Sequence, residues 1–169
     1  IDLPYAASVG PGPGGNVAAP SLDTSVRQAK SALSALCRIS WPDAILSYSL
    51  GALAVSMWLE DVNAGAAYTE GIILPQFFGF FANPARARQN GLPGYGIHHE
   101  HGYWPGGPRY VEIANPDDGI TCCPDPSPLR TLTDQVDAFS FAELGGWSQD
   151  LVDRLLRNRW QPSAFDWRD

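Results

Sequence analysis

All three histidines of this 169-residue chain fall in one short run, Ile97-His98-His99-Glu100-His101-Gly102. Imidazole titrates near pH 6.5 and ligates transition metals, so such a run points to acid–base chemistry or to a metal site. Spacing narrows the choice. On an extended segment His99 and His101 share one face while His98 and Glu100 share the other. Flanking glycines disfavour a helical turn. A divalent transition metal, zinc or iron, would take His99, His101 and a remote ligand: Asp117, Asp118, Glu112 or a cysteine. That set leaves an open position for metal-assisted hydrolysis. The metal-free version has one of His98, His99 and His101 as general base, oriented by Glu100, Glu112, Asp117 or Asp118. Arg109, just beyond a Gly/Pro-rich stretch, suits bidentate binding of an anionic group.

The cluster matches no standard metal spacing. It reads His-His-Glu-His, not the His-Glu-x-x-His of zinc proteases. His98-x-Glu100 has the form of the zinc-deaminase motif, but Cys122 and Cys123 are adjacent where Pro-Cys-x-x-Cys is needed. A solvated or packing role for this loop therefore stands beside the chemical one. Tyr95, Tyr103, Trp104 and Tyr110 surround the histidines and either line a pocket or pack the loop. Cys37 sits at an apolar helical position and reads as a buried small hydrophobe rather than a nucleophile. Arg86 and Arg88 read as a solvated face.

The elements that must hold these residues can be read from periodicity. Residues 1–22, rich in Gly and Pro, read as a flexible leader, and 23–169 as a single globular domain. Val26, Ala29, Leu33, Leu36 and Cys37 recur at helical spacing and predict a helix over 24–38. A second helix is expected over 42–60, opened by Pro42 and apolar all round, hence central. Gly51 within it implies close packing against a neighbour. The apolar run 72–81 contains Pro75 and Gly79, which forbid one long regular element, and reads as a buried irregular segment or two short elements. Arg109 to Ala114 alternates with strand period, Asn115-Pro-Asp-Asp-Gly119 supplies a turn, and residues 120–123 return as a partner strand. Ser140 to Glu143 has capping-box form, and Trp147, Leu151, Leu155 and Leu156 predict a helix over 147–160. The expected class is α+β: a helical body, a small antiparallel β-hairpin or sheet, and long Gly/Pro-rich loops.

Composition excludes several roles. Eighteen acidic against eleven basic residues leave a formal net charge of −7, and Lys30 is the single lysine. Phosphate backbones are bound through Lys and Arg, so general nucleic-acid binding is not expected. The uncharged run Ala44–Leu59 is sixteen residues, short of the roughly 20 needed to span a bilayer, so no membrane span is expected. Three cysteines are too few for a disulfide scaffold, though Cys37 has two candidate partners. A start at Ile1, with Met57 as the sole methionine, suggests a processed, exported or secreted product, or an excised domain.

Two readings follow. The first is a small soluble enzyme domain released from a larger or exported precursor, a hydrolase or toxin-like effector using the histidine cluster. The second is a non-enzymatic accessory subunit docking on a larger protein partner.

Overall fold

The computed structural model describes residues 1–8, 19–102, 104, 109–125 and 127. Helix α1 (Leu22–Ile39) is followed by strand β1 (Ala44–Tyr48), helix α2 (Leu50–Asn63), a short 3-10 turn (Ala67–Thr69), and strands β2 (Phe77–Phe81) and β3 (Arg109–Ile113). The helix expected over 147–160, the capping box at 140–143 and residues 9–18 of the leader lie outside the described residues.

α1 begins where its sequence can satisfy orphan backbone donors. The Ser21 hydroxyl accepts from the Thr24 N–H at 3.2 Å, Asp23 sits in the first turn and Arg38 in the last, each favourable to the helix dipole. Its buried stripe is Leu22, Val26, Ala29, Leu33 and Cys37. α2 is buried almost all round, from Ala52 through Ser56 and again at Trp58 and Leu59. Both helices pack on one face of the sheet. Leu33, Cys37, Val55, Trp58, Leu59, Phe78, Phe80 and Trp104 form the main core, and Leu22, Val26, Ala29, Leu53, Ala54 and Ala85 a second cluster. Each large side chain removed from water there contributes about 1.5–3 kcal/mol. Polar groups among them are paired across the helices, while the buried Trp104 Nε1 has no hydrogen-bond partner among the described residues. Trp58 Nε1 donates to Ser34 Oγ at 2.8 Å across the helix pair, and Lys30 of α1 pairs with Asp61 of α2.

The sheet corrects the expected fold class. Its order is β1-β2-β3 and every pairing is parallel, with Tyr48 opposite Phe81 and Phe81 opposite Ile113. The architecture is α/β, not α+β with an antiparallel hairpin. The turn at 115–119 does form: Asp117 N–H donates to Asn115 Oδ1 at 3.0 Å and Ile120 N–H to Asp118 Oδ1 at 2.9 Å. It does not fold residues 120–123 back onto β3. They pair instead with the segment after β2, through Ile97 N–H to the Ile120 carbonyl (2.7 Å) and an antiparallel bridge between Tyr95 and Cys123. Turn chemistry fixes a reversal but not the partner beyond it.

The helix expected over 42–60 is also corrected. Ala44–Tyr48 is a strand, and α2 starts only at Leu50. Short apolar runs fit a strand or a helix equally by period, and pairing with β2 decides the case. Gly79 lies beneath Leu46, between the rings of Phe77 and Phe81. On that second sheet face Leu46, Tyr48, Phe77, Phe81, Val111 and Ile113 are exposed.

Candidate functional site

Parallel register places the carboxyl ends of all three strands on one rim, the edge at which ligands gather in open α/β sheets. Ser49 leaves that rim directly. It is the single residue between β1 and α2, with φ 50° and ψ −118°. This is a conformation that residues with a side chain adopt at a cost of order 1–3 kcal/mol. Two contacts hold it there: Ser49 N–H donates to the Phe81 carbonyl (2.9 Å), and the Ser49 carbonyl accepts from Leu53 N–H (3.1 Å). The Ser49 hydroxyl makes no capping bond to α2.

The local sequence explains why the chain can turn so sharply. It reads Ser47-Tyr48-Ser49-Leu50-Gly51, small at the positions two before and two after Ser49. That is the spacing of the strand–Ser–helix elbow G-x-S-x-G, with Ser47 in place of the first glycine. Ser47 is buried, and its hydroxyl donates sideways to the Gly79 carbonyl at 3.1 Å. Gly51 faces the Tyr5 hydroxyl, which a Cβ would meet at 3.3 Å, the close neighbour its presence implied. Sequence reasoning missed Ser49. The available signal was this spacing, hidden by the assignment of the whole run to one helix.

The histidine run is held by the stretch that leaves β2 at this rim. Residues 96–101 are clipped to the stretch after β2, by Gly96 N–H to the Arg86 carbonyl (2.9 Å), His98 N–H to Pro84 (2.9 Å) and His101 N–H to Ala85 (3.0 Å). His98 and His99 face each other, Nδ1 to Nδ1 at 2.7 Å. His99 Nε2 lies 3.1 Å from Glu60 Oε1. Glu60 is on α2, eleven residues beyond Ser49, about 16 Å at the helical rise. Burial pushes the Glu60 carboxyl up, but the His99 hydrogen bond and charge, the Gly102 N–H and the charge of His101 outweigh it and hold its pKa below the ordinary value.

His101 is buried and turns to the other side. Its Nε2 lies 3.1 Å from Glu112 Oε2 and its Nδ1 2.8 Å from the Gly102 carbonyl oxygen. Glu112 also accepts from Asn83 Nδ2 (2.7 Å) and Gln89 Nε2 (3.0 Å). Glu100 is exposed and pairs with Arg88 at 3.2 Å. Arg109 is exposed at the amino end of β3, the opposite end of the sheet from the Ser49 rim. Asp117 is exposed on the turn, while the Asp118 carboxylate is held by Ile120 N–H (2.9 Å) and the Thr121 hydroxyl (2.8 Å).

The expected metal set of His99, His101 and Asp117 does not assemble. The two imidazoles are drawn to different carboxylates, Glu60 on α2 and Glu112 on β3, and Asp117 stays on the outer turn. Among the described residues no three His, Cys, Asp or Glu side chains are grouped so as to hold a metal ion. No described helix is long and apolar enough to cross a membrane. Cys37, Cys122 and Cys123 form no disulfide, and all three are buried. Arg86 is not a solvated residue: it is fully buried, and its guanidinium donates to the carbonyls of Thr121 (2.7 Å), Ala87 (2.8 Å), Pro93 (2.9 Å) and Gly94 (3.0 Å).

No protein-family model matches the chain, and no curated protein sequence does. Among solved structures it is similar to acetylxylan esterase at 0.90 Å resolution, with 18% identity and a TM-score of 0.44 over 85% of this chain and 81% of that one. An iodinated complex of acetyl xylan esterase at 1.80 Å gives 14% identity and a TM-score of 0.39 over the same shares. Likeness at that level carries no argument about the site, which rests on its own geometry.

Proposed function

We propose that this chain carries the nucleophile of a serine hydrolase: Ser49 Oγ bonds the acyl carbon of an ester as its C–O bond breaks, the hydroxyl proton leaves with the departing alcohol, and water then releases the acid and restores the Ser49 hydroxyl. One observation carries the reading: a serine held at φ 50° and ψ −118° between a parallel strand and a helix, in the spacing S-x-S-x-G. Backbone strain of this kind persists where the surrounding fold imposes it, and an elbow of this shape lifts a hydroxyl clear of the sheet. The first N–H groups of α2 lack intrahelical acceptors, so Leu50 N–H is the donor best suited to an oxyanion formed on attack. Asp118, in the loop leaving the same rim, occupies the place of the acid in the chain order serine then carboxylate. The three histidines all precede Asp118, and the hydrogen bonds described above include Glu60, Glu112, the Gly102 carbonyl and one another, so none is assigned as the base for Ser49.

A second reading has its own support. The apolar sheet face of Leu46, Tyr48, Phe77, Phe81, Val111 and Ile113 suits a protein partner, since exposed patches of this kind mark interaction surfaces.

The test uses a fluorophosphonate probe and p-nitrophenyl acetate on the whole chain. Covalent labelling at Ser49, lost in Ser49→Ala and kept in Ser47→Ala, is the expected result. Absence of labelling and turnover in the wild type, or equal turnover in Ser49→Ala, would overturn the hydrolase reading.

A further inference from the structure

His101 has both ring nitrogens turned to acceptors. Nε2 faces Glu112 Oε2 at 3.1 Å and Nδ1 faces the Gly102 carbonyl oxygen at 2.8 Å. A neutral imidazole has one N–H, so it can satisfy one of these contacts and must oppose the other with a lone pair; the imidazolium satisfies both. Water cannot relieve the mismatch, because the two side chains are 2% and 1% exposed. The ring also stacks on Trp104, centroids 4.1 Å apart and planes 10° from parallel, an arrangement that favours a cation.

We propose that His101 is a proton-held clasp: as the imidazolium it ties residues 98–102 to β3, and loss of its proton as pH rises releases that tie. The groups that face it are known from each element packed around it. β3 contributes Glu112 and, edge-on at 6.1 Å, Tyr110. α2 contributes Glu60, which also accepts from Gly102 and holds His99. The stretch after β2 contributes the Asn83 and Gln89 amides, which anchor Glu112. Thus two carboxylates from two elements grip one loop segment, and only the His101 contact is shielded from water on both sides.

The balance of forces agrees with the geometry. Burial alone would push the His101 pKa down, but the hydrogen bonds to Glu112 and to the Gly102 carbonyl, with the charges of Glu112 and Glu60, hold it above the ordinary 6.5. A pKa raised by folding stabilises fully below the unfolded value and loses that contribution as pH rises through the folded one. The loss therefore falls on the alkaline side of 6.5.

The experiment is an NMR titration of the whole chain labelled with 15N. His101 should show both ring nitrogens protonated below pH 6.5 and titrate above that value. The His99 and Gly102 amides should shift and exchange faster in the same step. In Glu112→Gln the His101 midpoint should fall by about one unit or more. A native His101 with one protonated nitrogen below pH 6.5, a midpoint unmoved by Glu112→Gln, or a titration that leaves both amides unchanged would overturn the clasp. Should Glu112→Gln fail to fold, the wild-type titration still decides.

Discussion

The main-chain N–H of Ser49 donates to the Phe81 carbonyl at 2.9 Å, so the first residue past β1 is still tied to the sheet while its ψ of −118° already turns the chain into α2. Sheet and helix between them force a backbone shape that the side chain resists. Glycine has no such resistance. Ser49→Gly should therefore raise stability, by about 1 kcal/mol or more, while abolishing fluorophosphonate labelling. Urea unfolding of the two proteins checks this, and a destabilised glycine variant would show that the backbone there is not strained.

Arg86 should be among the least replaceable residues in the chain. It donates to four carbonyls from the segments around 87, 93–94 and 121, which no shorter or non-planar cation can reach together. Arg86→Met should cost about 3 kcal/mol or more, and Arg86→Lys should recover little of it. Equilibrium denaturation gives the numbers. A loss under about 1 kcal/mol would mean the carbonyls find water instead.

Asn83 joins three elements. Its amide donates to Ser56 Oγ on α2 (2.9 Å) and to Glu112 on β3 (2.7 Å), and its carbonyl oxygen accepts from Ala85 N–H (3.0 Å). Asn83→Ala strands these buried groups and should cost about 3 kcal/mol. Asn83→Asp adds a carboxylate beside Glu112 and should cost more at neutral pH than at about pH 4. Thermal melts at the two pH values separate the variants.

The thiols should be silent in the native protein. Cys37, Cys122 and Cys123 are all buried and none is in a disulfide, and burial pushes the Cys37 thiol up to about 11. Thiolate is the reactive form, so Ellman's reagent at pH 8 should modify essentially none until denaturant is added, and then all three. Fast native modification of Cys37 would contradict its packing against Val55 and Trp58.

How much of this could be read from the residues varies by element. α1 was legible because Ser21, Asp23 and the Val26-Ala29-Leu33-Cys37 stripe agree with one another; it runs two residues earlier and one later than its period suggests. β1 was not, because Ala44-Ile-Leu-Ser-Tyr48 continues into an apolar helix without a break in composition, and its strand state depends on pairing with β2. The reversal at Asn115–Gly119 was legible and its partner was not. For the histidines, the run was visible, but its separation into a Glu60 contact and a Glu112 contact was not. Glu60 lies thirty-nine residues before His99 and is brought to it only by the packing of the chain.

Ser47 bears on how relatives of this chain would be found. Its hydroxyl is turned to the Gly79 carbonyl of the neighbouring strand. A pattern that insists on glycine two residues ahead of the serine at such a strand–helix junction would pass over this chain, whereas one allowing serine there, preceded by a short apolar strand, would retrieve it.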